Sequence, residues 1–198
     1  MARVIHYYAH PGHRFSHANR AMTRAAAKIE GITQVDLYAE YPRHNINIDR
    51  EQTRLLDHEV IVFQFPLFWY SAPSLVKEWI DLVLEHGFAY GAGGDKLAGK
   101  VLMLAVTAAG PDDAYTPNGY QHHSLRTFLT PFEQTARLSK MRFAAPYVLY
   151  GALKSDPARH AEGFARLLHG LRDDHYDLDR AVAAEIVTHD TLPLTQKA

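Results

Sequence analysis

Three groups of residues in this 198-residue chain have types and spacings that can do chemistry. The first is Tyr115 and His122, a phenol and an imidazole carried on one long polar loop. Both side chains donate hydrogen bonds, and such donors stabilise an anion that develops during a reaction. A loop aromatic and a solvated helix cap are the plainer uses of the same two residues. The second group is Pro66, Leu67, Phe68, Trp69 and Tyr70, whose three consecutive aromatic rings suit a flat, conjugated ligand. Packing over the end of a sheet is the competing use of those rings. The third is Ser16, His17, Ala18 and Asn19, where Ser16 caps a helix. Free N–H groups and the helix dipole at such a start suit a single phosphate, although a capped helix needs no ligand.

Several familiar chemistries are missing from the string. It contains no GxGxxG dinucleotide fingerprint and no GxxxxGK[ST] phosphate loop. His6, His10, His13 and His17 invite a metal reading, but His6 belongs to a strand. No cysteine or tight carboxylate cluster completes a coordination sphere. The adjacent pair His122 and His123 diverges at a helix start, so no metal site is expected. With no cysteine at all, disulfides and thiol catalysis are excluded.

The elements that must position these groups alternate along the chain. Strands are expected over residues 4–9, 35–38, 60–65, 101–106 and 147–150. Helices are expected from Ser16 to Gly31, through Asp49 to Leu56, from Pro73 to near His86, over 123–138 with a break at Pro131, and over 156–172. Alternation of this kind predicts an α/β fold with a parallel sheet and helices on both faces. Five strands and right-handed crossovers give the flavodoxin-like order 2-1-3-4-5. In that topology the loops after strands one, three and four meet in one crevice at the carboxyl edge. The third of these loops opens with Thr107, Ala108, Ala109 and Gly110, small residues that let backbone approach a planar ring. A phosphate site, an aromatic wall and a donor pair at one crevice describe a mononucleotide flavin site.

The bulk numbers agree with one domain over 1–198, its residues 174–198 forming a peripheral extension with a helix and a loose end. A formal charge of −1 gives no basic face, and no nucleic-acid partner is expected. The start lacks an apolar leader and no apolar run approaches the roughly 20 residues of a membrane span. A cytoplasmic protein is expected, able to sit at the inner membrane only through a partner.

The segments YAHPGHRFSHAN, QFPLFWYSAPSLVKEWID, AYGAGGDKLAGK and AVTAAG resemble the flavodoxin-like NAD(P)H:quinone oxidoreductases. The resemblance runs from about Val4 to Arg172. It is nearest to short bacterial members, including the ancillary proteins of glutathione-gated potassium-efflux systems and the modulator-of-drug-activity type; mammalian DT-diaphorase is a looser match. It implies a bound flavin, FMN in short members and FAD in the mammalian enzymes, with NAD(P)H as co-substrate and a quinone as acceptor in ping-pong exchange. By position, His10, Ser16, His17, Ala18 and Asn19 would hold the phosphate and ribityl chain. Pro66, Leu67, Phe68, Trp69 and Tyr70 would line the isoalloxazine, and Thr107, Ala108, Ala109 and Gly110 would meet its pyrimidine edge through backbone groups. Tyr115 and His122 match the family's catalytic pair, the histidine by its spacing to Pro131. Phe68 stands where many members have Gln, and Ala108-Ala109 replaces a roomier turn. The resemblance also implies a homodimer, with apolar residues of the 73–86 helix as its contact. Two other roles stay open: an ancillary subunit of a potassium-efflux transporter, and a one-electron flavodoxin-type carrier.

Overall fold

The computed structural model describes residues 1–195. Its strands are runs of β-branched and aromatic residues buried on both faces, as a sheet between two helical layers requires. In β1 (Val4–Tyr8), β3 (Val60–Pro66) and β4 (Val101–Thr107) every residue is buried. The edge strand β2 (Ile32–Asp36) is half-exposed. All pairings are parallel, in the order β2-β1-β3-β4-β5, which is the flavodoxin-like arrangement expected.

Side-chain alternation sorts the core into two layers. Ile5, Tyr7, Ile61, Phe63, Leu102 and Leu104 face α3 (Ile48–Asp57), α4 (Ser74–Val83) and α5 (Thr130–Leu138). Val4, Val60, Val62, Met103 and Ala105 face α1 (His17–Ala26) and α6 (Pro157–Arg172). The first layer encloses one charge. Glu51 is fully buried and accepts from Tyr41 Oη at 2.5 Å, Arg54 at 2.6 Å and Trp79 Nε1 at 3.1 Å. Helix α4 turns Leu75, Val76, Trp79 and Val83 into this layer and leaves Leu82 as its exposed large apolar residue. Its stripe therefore packs the sheet and offers little apolar surface to a second subunit.

Three boundaries differ from expectation. Of the strand expected over 35–38 only Val35 and Asp36 belong to β2: Asp36 Oδ1 accepts the N–H groups of Tyr38 and Ala39 and starts the short helix α2 (Leu37–Glu40). The expected fifth strand is two pieces, β5 (Arg142–Phe143) and β6 (Tyr147–Leu149), both against β4. Pro146 lies between them and has no N–H for the ladder. The helix expected over 123–138 is a 3-10 segment, Leu125–Leu129, followed by α5; the break falls just before Pro131, which sits in the first turn of α5 where its missing N–H costs nothing.

After α6 the chain returns along the sheet. Helix α7 (Leu178–Ala183) comes next, with Ala145 N–H donating to Ala181 C=O at 2.9 Å. Val148 N–H then donates to Val187 C=O at 2.8 Å, and Val187 N–H to Pro146 C=O at 2.9 Å. Arg126 Nη1 donates to the carbonyls of Ala184 at 2.6 Å and Glu185 at 2.9 Å. The expected loose end includes residues 196–198, which lie outside the described residues. Among the described residues no helix is long and apolar enough to cross a membrane.

Candidate functional site

Two adjoining cavities open at the carboxyl edge of the sheet. One, of about 440 Å³, is lined by His10, Ser16, His17, Ala18, Asn19, Pro66, Leu67, Phe68, Thr107 and Ala109, with Phe15, Ala152, Leu153, Ser155 and Pro157. The other, of about 300 Å³, is lined by Leu67, Trp69, Tyr70, Ala109, Gly110, Tyr115, Tyr120 and Gln121. Leu67 and Ala109 belong to both linings, so the two are one continuous cleft. Register explains the meeting: Pro66 at the end of β3 pairs with Thr107 at the end of β4, and Tyr8 at the end of β1 pairs with Gln64.

At one end of the cleft stands the start of α1. Ser16 Oγ accepts the N–H of Asn19 at 3.2 Å, and Arg20 N–H donates to Ser16 C=O at 3.3 Å. The N–H groups of His17 and Ala18 then have no partner among the described residues. Two free donors at the positive end of a helix form a receptor for an anion. His10 lies beside them and accepts Gly12 N–H on Nδ1 at 3.1 Å, which leaves its hydrogen on Nε2. Burial, and secondarily His13, lowers its pKa and keeps the ring neutral.

The other end is aromatic. Phe68 meets His10 edge-on, with ring centroids 5.6 Å apart. Trp69 and Tyr70 both adopt positive φ, 46° and 65°, and Trp69 is 92% exposed. Tyr115 is packed between Phe128 and Tyr150 on its inner side. Burial raises its pKa, with the phenols of Tyr120 and Tyr70 adding to the effect, so the hydroxyl keeps its hydrogen. A Cβ at Gly110 would fall 2.8 Å from Tyr120 Oη and 3.2 Å from Tyr115 Cε2, so a side chain there would push both rings back from the backbone.

Two expected site residues lie apart from the cleft lining. Ala108 is wholly buried; its N–H donates to Leu149 C=O at 2.8 Å and its C=O accepts Ala152 N–H at 2.9 Å. Its backbone groups tie β4 to the loop after β6, whereas the N–H and C=O of Ala109 make no bond among the described residues. His122 is exposed on a turn, its N–H bonded to Gly119 C=O at 3.0 Å, and its neighbour Gln121 takes the place in the lining. Sequence reasoning missed Tyr120, Gln121 and the loop of Ala152, Leu153 and Ser155. The loop was within reach of the carboxyl-edge rule, which applies to the fifth strand position as to the others. Among the described residues no cluster of histidine and acidic side chains is placed to hold a metal.

A family model of flavodoxin-like fold, Flavodoxin_2, matches residues 2–171. The chain belongs to this family. The glutathione-regulated potassium-efflux system ancillary protein KefG of Cronobacter sakazakii is 44% identical over 170 residues, covering 84% of this chain and 92% of that protein. The solved structure of general stress protein 14 of Treponema denticola, in complex with FMN, is 31% identical with a TM-score of 0.82. It covers 86% of this chain and 99% of its own. A putative quinone reductase of Klebsiella pneumoniae is 25% identical with a TM-score of 0.71, covering 86% and 85%. The resemblance read from the sequence is thus to the right family. The match ends where α6 ends, so α7 and the return of Val187 to the sheet lie outside the matched segment.

Proposed function

We propose that this protein holds FMN in the cleft and passes electrons from NAD(P)H to a quinone. The observation that carries the reading is one cleft with unpaired helix N–H groups at one end and an aromatic wall with the Tyr115 phenol at the other. The FMN-bound and quinone-reductase relatives support it. When bound, a flavin supplies two-electron redox chemistry; the residues supply orientation and electrostatics.

The residues present fit that group. The N–H groups of His17 and Ala18 take the phosphate, and His10 Nε2 offers a further hydrogen near Phe68. Phe68 and Ala109 bound the flat ring, while the free backbone groups of Ala109 meet its polar edge. Tyr115 donates a hydrogen bond where negative charge grows, inside a shell of Phe128 and Tyr150 that keeps water off its inner side. Trp69 and Tyr70 shape the open face against which nicotinamide and then quinone stack in turn.

A second reading comes from the similarity to KefG. Under it the protein serves as the ancillary subunit of a potassium-efflux system, and the exposed Phe15, Trp69 and Leu153 at the cleft mouth are a docking rim. The two roles are compatible on one fold. Anaerobic spectroscopy tests the first. A yellow protein bleached by NADPH and restored by a quinone is expected; a colourless protein that takes up no added FMN sinks it. A flavin that NADPH leaves oxidised shifts the protein to the ancillary role alone.

A further inference from the structure

Beneath the cleft, His6, Gln64 and Asn19 form a buried chain of hydrogen bonds whose direction is fixed. Gln64 in β3 is fully buried, and its Nε2 donates to the backbone carbonyl of Asn19 at 3.1 Å. A carbonyl only accepts, so the Gln64 amide cannot be turned over. Its second Nε2 hydrogen goes to Asn19 Oδ1 at 3.0 Å. Its Oε1 faces His6 Nε2 at 3.0 Å and Thr23 Oγ1 at 3.2 Å. His6 therefore carries its hydrogen on Nε2, and Thr23 donates. With Oδ1 committed to Gln64, Asn19 presents Nδ2 on its other side. It donates to Ser16 Oγ at 3.1 Å and to Thr107 Oγ1 at 2.8 Å.

A hydroxyl has two lone pairs and one hydrogen. Ser16 Oγ accepts both from Asn19 Nδ2 and from Asn19 N–H, so its own hydrogen must point elsewhere. Thr107 Oγ1 accepts from Asn19, so its hydrogen is turned away from that residue. Both residues line the cleft. We propose that His6, Gln64 and Asn19 are positioning residues that make the Ser16 and Thr107 hydroxyls donors toward the cleft. The cleft is thereby set to select a ligand with acceptor oxygens at this end, a phosphate ester above all. The identity of the ligand rests on the flavin reading; the direction of the chain rests on the protein alone.

One corollary concerns Asn19 itself. Both polar atoms of its side chain have partners within the protein, so its part is to orient Ser16 and Thr107 and not to donate to the ligand itself. A second corollary is that the direction is lost with one change of similar size. Gln64→Met keeps the volume but offers no donor to the Asn19 carbonyl or Oδ1. The Asn19 amide is then free to turn, bring Oδ1 to Ser16 and Thr107, and draw both hydroxyl hydrogens inward.

Two measurements test this. In the wild-type protein, ¹⁵N NMR of the histidine rings is expected to show His6 neutral with its hydrogen on Nε2. A hydrogen on Nδ1 overturns the direction of the chain, whether or not a flavin binds. Titrations with FMN and with riboflavin then separate polarity from mere loosening. Gln64→Met is expected to weaken FMN on the order of tenfold more than riboflavin, the effect of losing a hydrogen bond to a charged group. Thr107→Val, which removes one of the two hydroxyl donors directly, is expected to shift the same ratio in the same direction, and it serves if Gln64→Met does not fold. Equal losses for both flavins, or none, overturn the proposal. A wild-type protein that takes up neither flavin overturns the flavin reading and the ligand half of this proposal, while the His6 tautomer still decides the rest.

Discussion

Phe68 and Ser71 exchange two backbone hydrogen bonds, N–H to C=O at 2.9 Å and 3.0 Å, and close a two-residue turn that contains no glycine. The turn holds Trp69 and Tyr70 in the left-handed region, where a bulky side chain costs roughly 1–2 kcal/mol per residue. Asn and Gly are the residues such a turn prefers. The double change Trp69→Asn, Tyr70→Gly is therefore expected to raise the melting temperature by relieving strain. It is also expected to slow reduction by NAD(P)H by removing the stacking face. A variant that is both less stable and equally active contradicts this reading of the turn.

Tyr115 and His122 are separable. Tyr115→Phe is expected to slow reduction by NAD(P)H on the order of a hundredfold, the usual loss for a donor to a developing oxyanion. His122→Gln, on an exposed turn outside the cleft lining, is expected to react near the wild-type rate. Stopped-flow traces of the two single variants decide the matter. Because burial raises the Tyr115 pKa above 10.0, no loss of activity from this donor is expected anywhere in the neutral range.

Acid is expected to destabilise the fold before the carboxylates titrate. Burial lowers the pKa of His6 from 6.5 to about 4, so the unfolded chain binds the extra proton between those values and the folded protein does not. Stability is present above pH 6.5 and is lost as pH falls toward 4, by about 3 kcal/mol for this group. His10 and His160 move in the same direction, also through burial. Urea midpoints measured between pH 7 and pH 5 check it, and a flat profile in that window refutes a neutral, buried His6.

Glu51→Ala is expected to cost about 3 kcal/mol or more, because it strands the Trp79 indole N–H and the Tyr41 hydroxyl in the core beside Arg54. Equilibrium denaturation of the variant measures this. A cost below about 1 kcal/mol means that these donors find other partners.

The sheet was legible because Val60 to Phe63 and Val101 to Val106 are short apolar runs that alternate with helical patterns, as doubly covered strands do. The edge strand was not: Ile32-Thr33-Gln34 is half-exposed and reads as polar, while Leu37 and Tyr38 look like strand residues until Asp36 is seen capping them. For the site, loop composition brought most of the expected residues to the cleft. It could not say that Ala108 points into the core, since a one-residue step on the pleat reverses a side chain. Composition does not mark Leu153 or Ser155 either, although the carboxyl-edge rule reaches their loop; their place in the cleft goes with the Gly151 N–H bonding Gly110 C=O at 2.8 Å.

The return of Val187 along β6 has a consequence for how this molecule meets others. An uncovered sheet margin is a template on which any extended peptide can add a strand, the common first step of unwanted self-association. Here the margin is occupied by the protein's own chain, tethered to it and therefore present at very high effective concentration. An incoming strand must first displace that resident one. At this margin, contacts with a second copy or a larger partner are thus diverted from strand addition toward recognition by side chains, while the opposite edge at β2 stays open.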